Sequence, residues 1–90
     1  MTISVVSPCP ESRIASEGIR DWPLWSCEVS TFPWAYEERE TCLLLEGEVM
    51  VTPEGGDPVE FRAGDLVVFE EGLRCVWEVR QPVRKHYRFG

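Results

Sequence analysis

Trp34–Gly47 reads WAYEERETCLLLEG and Gly64–Val79 reads GDLVVFEEGLRCVWEV. Each stretch sets two runs of strand-forming residues about a polar bend. In the first, Glu37-Glu38-Arg39-Glu40 separates Trp34 from the apolar run Thr41–Leu45. In the second, Glu70-Glu71-Gly72 separates Leu66–Phe69 from Arg74–Arg80. Thr41–Leu45 is apolar at both parities, the mark of a strand covered on both faces. In a chain this short, the second cover is expected to be another subunit.

The surrounding chain has the same punctuation. Ile3, Val5 and Val6 predict a first strand, ended by Pro8 and Pro10. Ser12–Glu17 predicts one helical turn, stopped by Gly18. Ser26–Phe32 alternates with strand period, and Pro33 interrupts it. Gly47 predicts a turn before a strand over Glu48–Thr52. Pro53-Glu54-Gly55-Gly56-Asp57-Pro58 predicts a hairpin loop, because Gly55-Gly56 adopts positive φ without steric cost. Val59–Arg62 follows as a strand. Gln81-Pro82 is expected to break the pattern before a last, basic strand over Val83–Phe89. Short strands with Gly/Pro punctuation and no long helix predict an all-β antiparallel barrel or sandwich. Trp22 and Trp25, on either side of Pro23, are expected to pack over an open end of the core.

Ninety residues suit one domain, covering 1–90, with a single core. Sixteen acids against nine bases leave a formal charge of −7, which repels a phosphate backbone, so no nucleic-acid partner is expected. No apolar run approaches the ~20 residues of a membrane span, and the N-terminus lacks the pattern of a signal peptide. Cys9, Cys27, Cys42 and Cys75 form no C-x-x-C pair. Scattered thiols of this kind point to a reducing, cytoplasmic setting.

The two quoted stretches resemble the two motifs of the cupin family, G-x5-H-x-H-x3,4-E-x6-G and G-x5-P-x-G-x2-H-x3-N. Glu40, six residues and Gly47 reproduce the end of the first motif. Counting back from Glu40, the histidine pair falls on Trp34 and Tyr36. In the second motif Gly64 and Gly72 are in place, Glu70 replaces proline, Cys75 replaces histidine and Val79 replaces asparagine. The resemblance implies a small jelly-roll barrel, an RmlC-like fold, often dimeric. A homodimer is therefore expected. The wider run from Trp22 to Tyr87 resembles the short single-domain cupins related to ureidoglycine aminohydrolase and to the ethanolamine-utilisation cupin. The resemblance implies no particular reaction, since most members of this short group lack an assigned one. Its larger aminohydrolases hold manganese with histidines, a glutamate and a glutamine, and of these positions only Glu40 carries over.

Losing the histidines changes the expected chemistry. A divalent metal needs several convergent lone pairs. The Trp34 indole only donates, and a neutral tyrosine such as Tyr36 ligates poorly. No tightly held metal is therefore expected. The alternative is a zinc- or manganese-type site built from Glu40, Cys75 and His86, the chain's one histidine.

Trp34, Tyr36 and Glu40 share one parity, as do Cys75 and Trp77, so all five are expected to face one interior. Two readings follow. They form a pocket for a small polar or aromatic metabolite, with Trp34, Tyr36 and Trp77 as walls and Glu40 holding a donor. Alternatively the aromatics plug the barrel as core, leaving a structural or interaction protein. A carboxylate at position 40 favours the pocket, since a buried acid needs a partner. A third reading is a metal-assisted hydrolase or isomerase that uses Glu40 and Cys75, with His86 as a further candidate. Cys75 would need a base or cation to become a thiolate, and otherwise it is an inert thiol. Arg74, Arg80, Arg84, Lys85 and Arg88 make the C-terminal end basic. They are expected to pair with Glu37–Glu40 and Glu70–Glu71, or else to rim an anion site.

Overall fold

The structure is a computed structural model that describes residues 2–90. It has seven strands: β1 (Ile3–Val6), β2 (Leu24–Cys27), β3 (Ser30–Ala35), β4 (Glu40–Pro53), β5 (Val59–Arg62), β6 (Leu66–Phe69) and β7 (Arg74–Phe89). One helix, α1 (Glu11–Ser16), and a 3-10 turn at Ile19–Asp21 lie between β1 and β2. All the strand pairs are antiparallel. The all-β expectation is met, and the fold is a small cupin barrel. No helix among the described residues is long and apolar enough to cross a membrane.

Two long strands make the barrel. β4 has 14 residues and β7 has 16, and they pair along most of their length. Each changes its other neighbour halfway. Glu40–Leu43 pairs with β6, while Glu48–Val51 pairs with β5. On β7, Arg74–Val79 pairs with β3, while Val83–His86 pairs with β2. The switch falls where Gly47 meets Gln81-Pro82, and the β4–β7 register is irregular there, from Leu44 to Val49. The expected turn at Gly47 and break at Pro82 are therefore bends within continuous strands. An extra residue in one strand lets it bend and keeps its inward side chains inward. Cys42 and Leu44 before the bend and Val49 and Val51 after it are all buried, although their parity differs. β7 keeps one parity throughout: Cys75, Trp77, Val79, Val83 and Lys85 are all buried.

Gly47 is the hinge of this bend. Its φ is +104°, and a Cβ there would lie 2.6 Å from the Pro82 carbonyl oxygen and 2.8 Å from Val83 Cα. Both are backbone atoms that cannot swing aside. Gly47→Ala is expected to cost more than about 2 kcal/mol, the sum of left-handed strain and a backbone clash. Gly55 provides the control, because its φ is +73° but a Cβ there meets nothing within 4 Å. Gly55→Ala should lose only the strain, about 1–2 kcal/mol. Equal losses in urea denaturation would show that the close approach at Gly47 contributes nothing.

The expected single strand over Ser26–Phe32 is divided between β2 and β3. Pro33 sits inside β3 rather than ending it. Among the described residues β3 pairs only with β7, so its other edge tolerates a residue without an N–H.

The outer face of the Thr41–Leu45 run is covered by this chain's own N-terminal segment, not by a second subunit. Leu43 packs with Cys9, Ile19 and Leu66, and Ile14 and Trp22 close the cluster. Leu45 alone of the run is exposed. Trp22 therefore caps this outer layer, with the Arg88 guanidinium 4.6 Å above its ring. Trp25 belongs to the barrel interior.

Candidate functional site

Inside the barrel, aromatic rings are packed edge and face. Trp77 is the hub and is 2% exposed. It stacks on Phe32 at 6.0 Å and meets Trp25, Phe61 and Phe69 at 5.7–5.9 Å. Its Nε1–H donates to Tyr36 Oη at 3.1 Å. Tyr36 stacks on Phe69 at 4.7 Å. The backbone holds Tyr36 from outside β3: its N–H donates to the Leu73 carbonyl at 2.8 Å, and its carbonyl accepts from Gly72 at 2.7 Å.

Trp25, Phe32, Tyr36 and Trp77 of this cluster also border a cavity. It measures about 250 Å³ and is bounded by Trp25, Phe32, Trp34, Tyr36, Trp77, Tyr87 and Phe89. Its polar groups are Glu40 and Lys85. Lys85 Nζ donates to Glu40 Oε2 at 2.5 Å, and both side chains are 6% exposed. The ammonium also lies 5.0 Å from the Trp25 ring centre and 4.8 Å from that of Trp77. An isolated buried charge is costly, and a paired one at this geometry with two ring faces recovers much of that cost. Among the described residues Lys85 gives the Glu40 carboxylate its hydrogen bond at Oε2, and Oε1 is left free to accept.

Of the five residues expected to line one interior, Trp34, Tyr36, Glu40 and Trp77 border this cavity. Trp34 is half exposed and forms its rim, edge-on to Tyr36 at 6.5 Å. Cys75 does not border it. Cys75 pairs with Trp34 across β3 and β7, and its thiol approaches the Trp34 carbonyl at 3.6 Å. It opens instead on a broader, shallower groove that includes Glu37, Glu38 and Glu54. His86 alternates with Lys85 and lies on the other face of β7. There its Nδ1 is 2.9 Å from the Trp22 carbonyl oxygen.

The metal that the cupin motifs imply does not fit this donor set. Trp34, Tyr36 and Cys75 stand at the histidine positions, His86 faces away from the interior, and Glu40 is engaged by an ammonium. Among the described residues no three of His, Cys, Asp and Glu come together. The Glu40/Cys75/His86 alternative is therefore not assembled.

The thiols and the phenol here favour their protonated forms. Burial, and after it the Glu40 charge, pushes the Cys75 thiol up to about 11. Burial pushes Cys42 up to about 12 against the opposing pull of Lys85. Burial, then the Glu40 charge, also holds the Tyr36 phenol well above its ordinary value. At neutral pH Cys75 is a thiol in acidic surroundings, a poor nucleophile. Tyr36 keeps its proton and can donate it while accepting from Trp77.

These shifts carry a stability prediction. A group whose folded pKa is raised binds its proton more tightly when folded, so its contribution is complete below the unfolded value and is lost as pH rises. From an ordinary value of 9.0 for the two thiols, stability should fall steadily from about pH 9 through about pH 12. Urea midpoints measured at pH 7, 9 and 10.5 read this. A midpoint unchanged at pH 10.5 would contradict the raised thiols.

Sequence reasoning missed Lys85, Trp25, Phe32, Tyr87 and Phe89. By sequence alone Lys85 belongs with the basic C-terminal charges. Of that group it pairs with Glu40, whereas Arg80 pairs with Glu60 at 2.7 Å and Glu78 at 3.2 Å. The signal was present: Lys85 has the parity of Trp77, and it is the chain's one lysine beside eight arginines.

The comparisons agree with this architecture. A family model described as EutQ-like cupin domain matches residues 14–87. A DUF861 family protein from Thermotoga maritima is 42% identical, with a TM-score of 0.96 over 99% of this chain and 100% of that one. A putative ethanolamine utilization protein Q from Salmonella typhimurium is 27% identical, with a TM-score of 0.67 over 73% of this chain and 53% of that longer one. A DUF1255 protein from Acidithiobacillus ferrooxidans is 25% identical, with a TM-score of 0.68 over 70% of this chain and 60% of that one. No curated protein matches. The motif spacing, the barrel and the family match over most of the chain converge: this protein belongs to the EutQ-like cupin domain family.

Proposed function

We propose that this cupin binds a small, flat, uncharged organic molecule in its aromatic cavity, without a resident metal. The carrying observation is the buried Lys85–Glu40 pair among the aromatic rings that border a cavity of about 250 Å³. Sites for drug-sized ligands occupy about 300–1,000 Å³, so this one suits a single ring or a fused pair. Phe32, Trp77 and Tyr87 supply ring faces and edges for stacking. Glu40 Oε1 accepts from a ligand N–H or O–H, and the Tyr36 phenol donates to a ligand acceptor. The pair's two charges cancel, so a charged ligand would be desolvated without a free counter-charge.

A library of hydroxy- and amino-substituted heteroaromatics tests the reading, followed by melting temperature and tryptophan fluorescence. A ligand at 100 times its Kd should add about 2.7 kcal/mol. Glu40→Gln alone strands Lys85 and confuses folding with binding. The double change Glu40→Gln/Lys85→Met removes both charges and should abolish binding in a folded barrel. If no such compound raises the melting temperature or alters the fluorescence, the packed rings are core and nothing more.

A further inference from the structure

We propose that Lys85 is a reactive amine, which condenses reversibly with the carbonyl group of a small planar aldehyde or ketone held in the aromatic cavity. The inference goes beyond the binding reading but uses the same cavity.

Residue choice points this way. The chain has nine basic residues, and eight are arginines. Arginine is the usual cation of buried ion pairs, since its planar fork matches a carboxylate and it does not lose its proton. Lysine is the cation that can give up a proton and then attack a carbonyl. Here the one lysine is 5% exposed and borders the cavity. Among the described residues it is the cavity's only amine.

The neighbours fit each step. Glu40 Oε2, 2.5 Å from Nζ, receives the proton that the ammonium must lose. The freed Nζ lone pair attacks the carbonyl carbon as the C=O π electrons move to oxygen, and a proton on the now positive nitrogen passes to that oxygen to give a neutral carbinolamine. Tyr36 borders the same cavity and donates a hydrogen bond to that oxygen as charge develops on it. The protonated Glu40 then returns its proton to the carbinolamine hydroxyl, which leaves as water, and the nitrogen lone pair forms the C=N bond. Amine plus carbonyl gives iminium plus water, with no oxidant or reductant, and water reverses the reaction. The iminium is a flat cation at the place of the former ammonium. It keeps Glu40 as counter-ion and remains near the Trp25 and Trp77 rings, 5.0 and 4.8 Å from Nζ. The arrangement therefore holds the charge both before and after condensation.

The test uses the full chain with salicylaldehyde and sodium cyanoborohydride at pH 7, read by intact mass and peptide mapping. Reduction fixes any imine as a secondary amine. The folded protein is expected to acquire one adduct at Lys85 at least about tenfold faster than the same chain unfolded in guanidinium chloride, as positioned acid–base catalysis requires. A buried lysine with a purely structural role would react more slowly when folded. Equal or slower labelling of the folded chain, or an adduct confined to the N-terminal amine, overturns the proposal. This comparison needs no variant. Lys85→Arg should remove the adduct and Cys75→Ser should leave its rate unchanged. Salicyl alcohol, which lacks the carbonyl, separates the two claims. If it binds while salicylaldehyde leaves Lys85 unlabelled, the imine fails and the binding reading stands. If neither compound binds or labels, both fail for this ligand class.

Discussion

Replacing Lys85 by methionine is expected to lower stability by about 3–5 kcal/mol, the cost of leaving a buried carboxylate without its partner. Glu40 is 4% exposed, and among the described residues no second cation borders the cavity. The ammonium's contacts with Trp25 and Trp77 disappear in the same step. Glu40→Gln should be costly for the mirror reason, stranding the ammonium. The double variant Glu40→Gln/Lys85→Met should recover most of either loss, because replacing both charges of a buried pair with neutral groups is often nearly neutral. Urea denaturation of the four proteins closes the cycle, provided the m-value is unchanged. Losses that simply add would mean that the two side chains do not interact in solution.

Trp77→Ala should be comparably severe, about 3–5 kcal/mol. The indole touches Trp25, Phe32, Phe61 and Phe69, and its N–H serves the Tyr36 hydroxyl. These partners come from β2, β3, β5, β6 and the segment beyond β3, so the ring joins most of the barrel. The rigid β4–β7 pair cannot collapse into the space an alanine would leave, and the existing cavity would grow. Trp77→Phe keeps most ring contacts and loses the N–H, so its loss should be smaller. The aromatic near-ultraviolet circular dichroism should fall sharply in Trp77→Ala and modestly in Trp77→Phe. A Trp77→Ala protein with near-normal stability would mean that the cavity already behaves as open space around that ring.

Much of this barrel was legible because β-structure writes itself at short range. The alternation in Val59–Arg62 and the Gly55-Gly56 loop before it fix one strand's limits locally, and the alternation from Arg74 fixes where β7 starts. Glu40 and Gly47, at the motif spacing, marked the bend of β4 as well as its acid. Gly47 and Pro82 misled at first sight, since each is a local breaker. Only the facing strand shows that they meet, that the clash at a Gly47 Cβ comes from Pro82 and Val83, and that both chains run on through a bend.

What the sequence by itself determined is the all-β class, the cupin spacing and the loss of the histidines from it. Those depend on residue type and on a period of two, which any extended chain obeys. The tertiary structure alone decided which charge answers Glu40, which face His86 takes, and that Cys75 opens on a different hollow from Trp77. Those pairings join residues more than forty positions apart, and they depend on how the bends in β4 and β7 close the sheet on itself. No local pattern encodes that closure, because it is a property of two strands in register and not of either one.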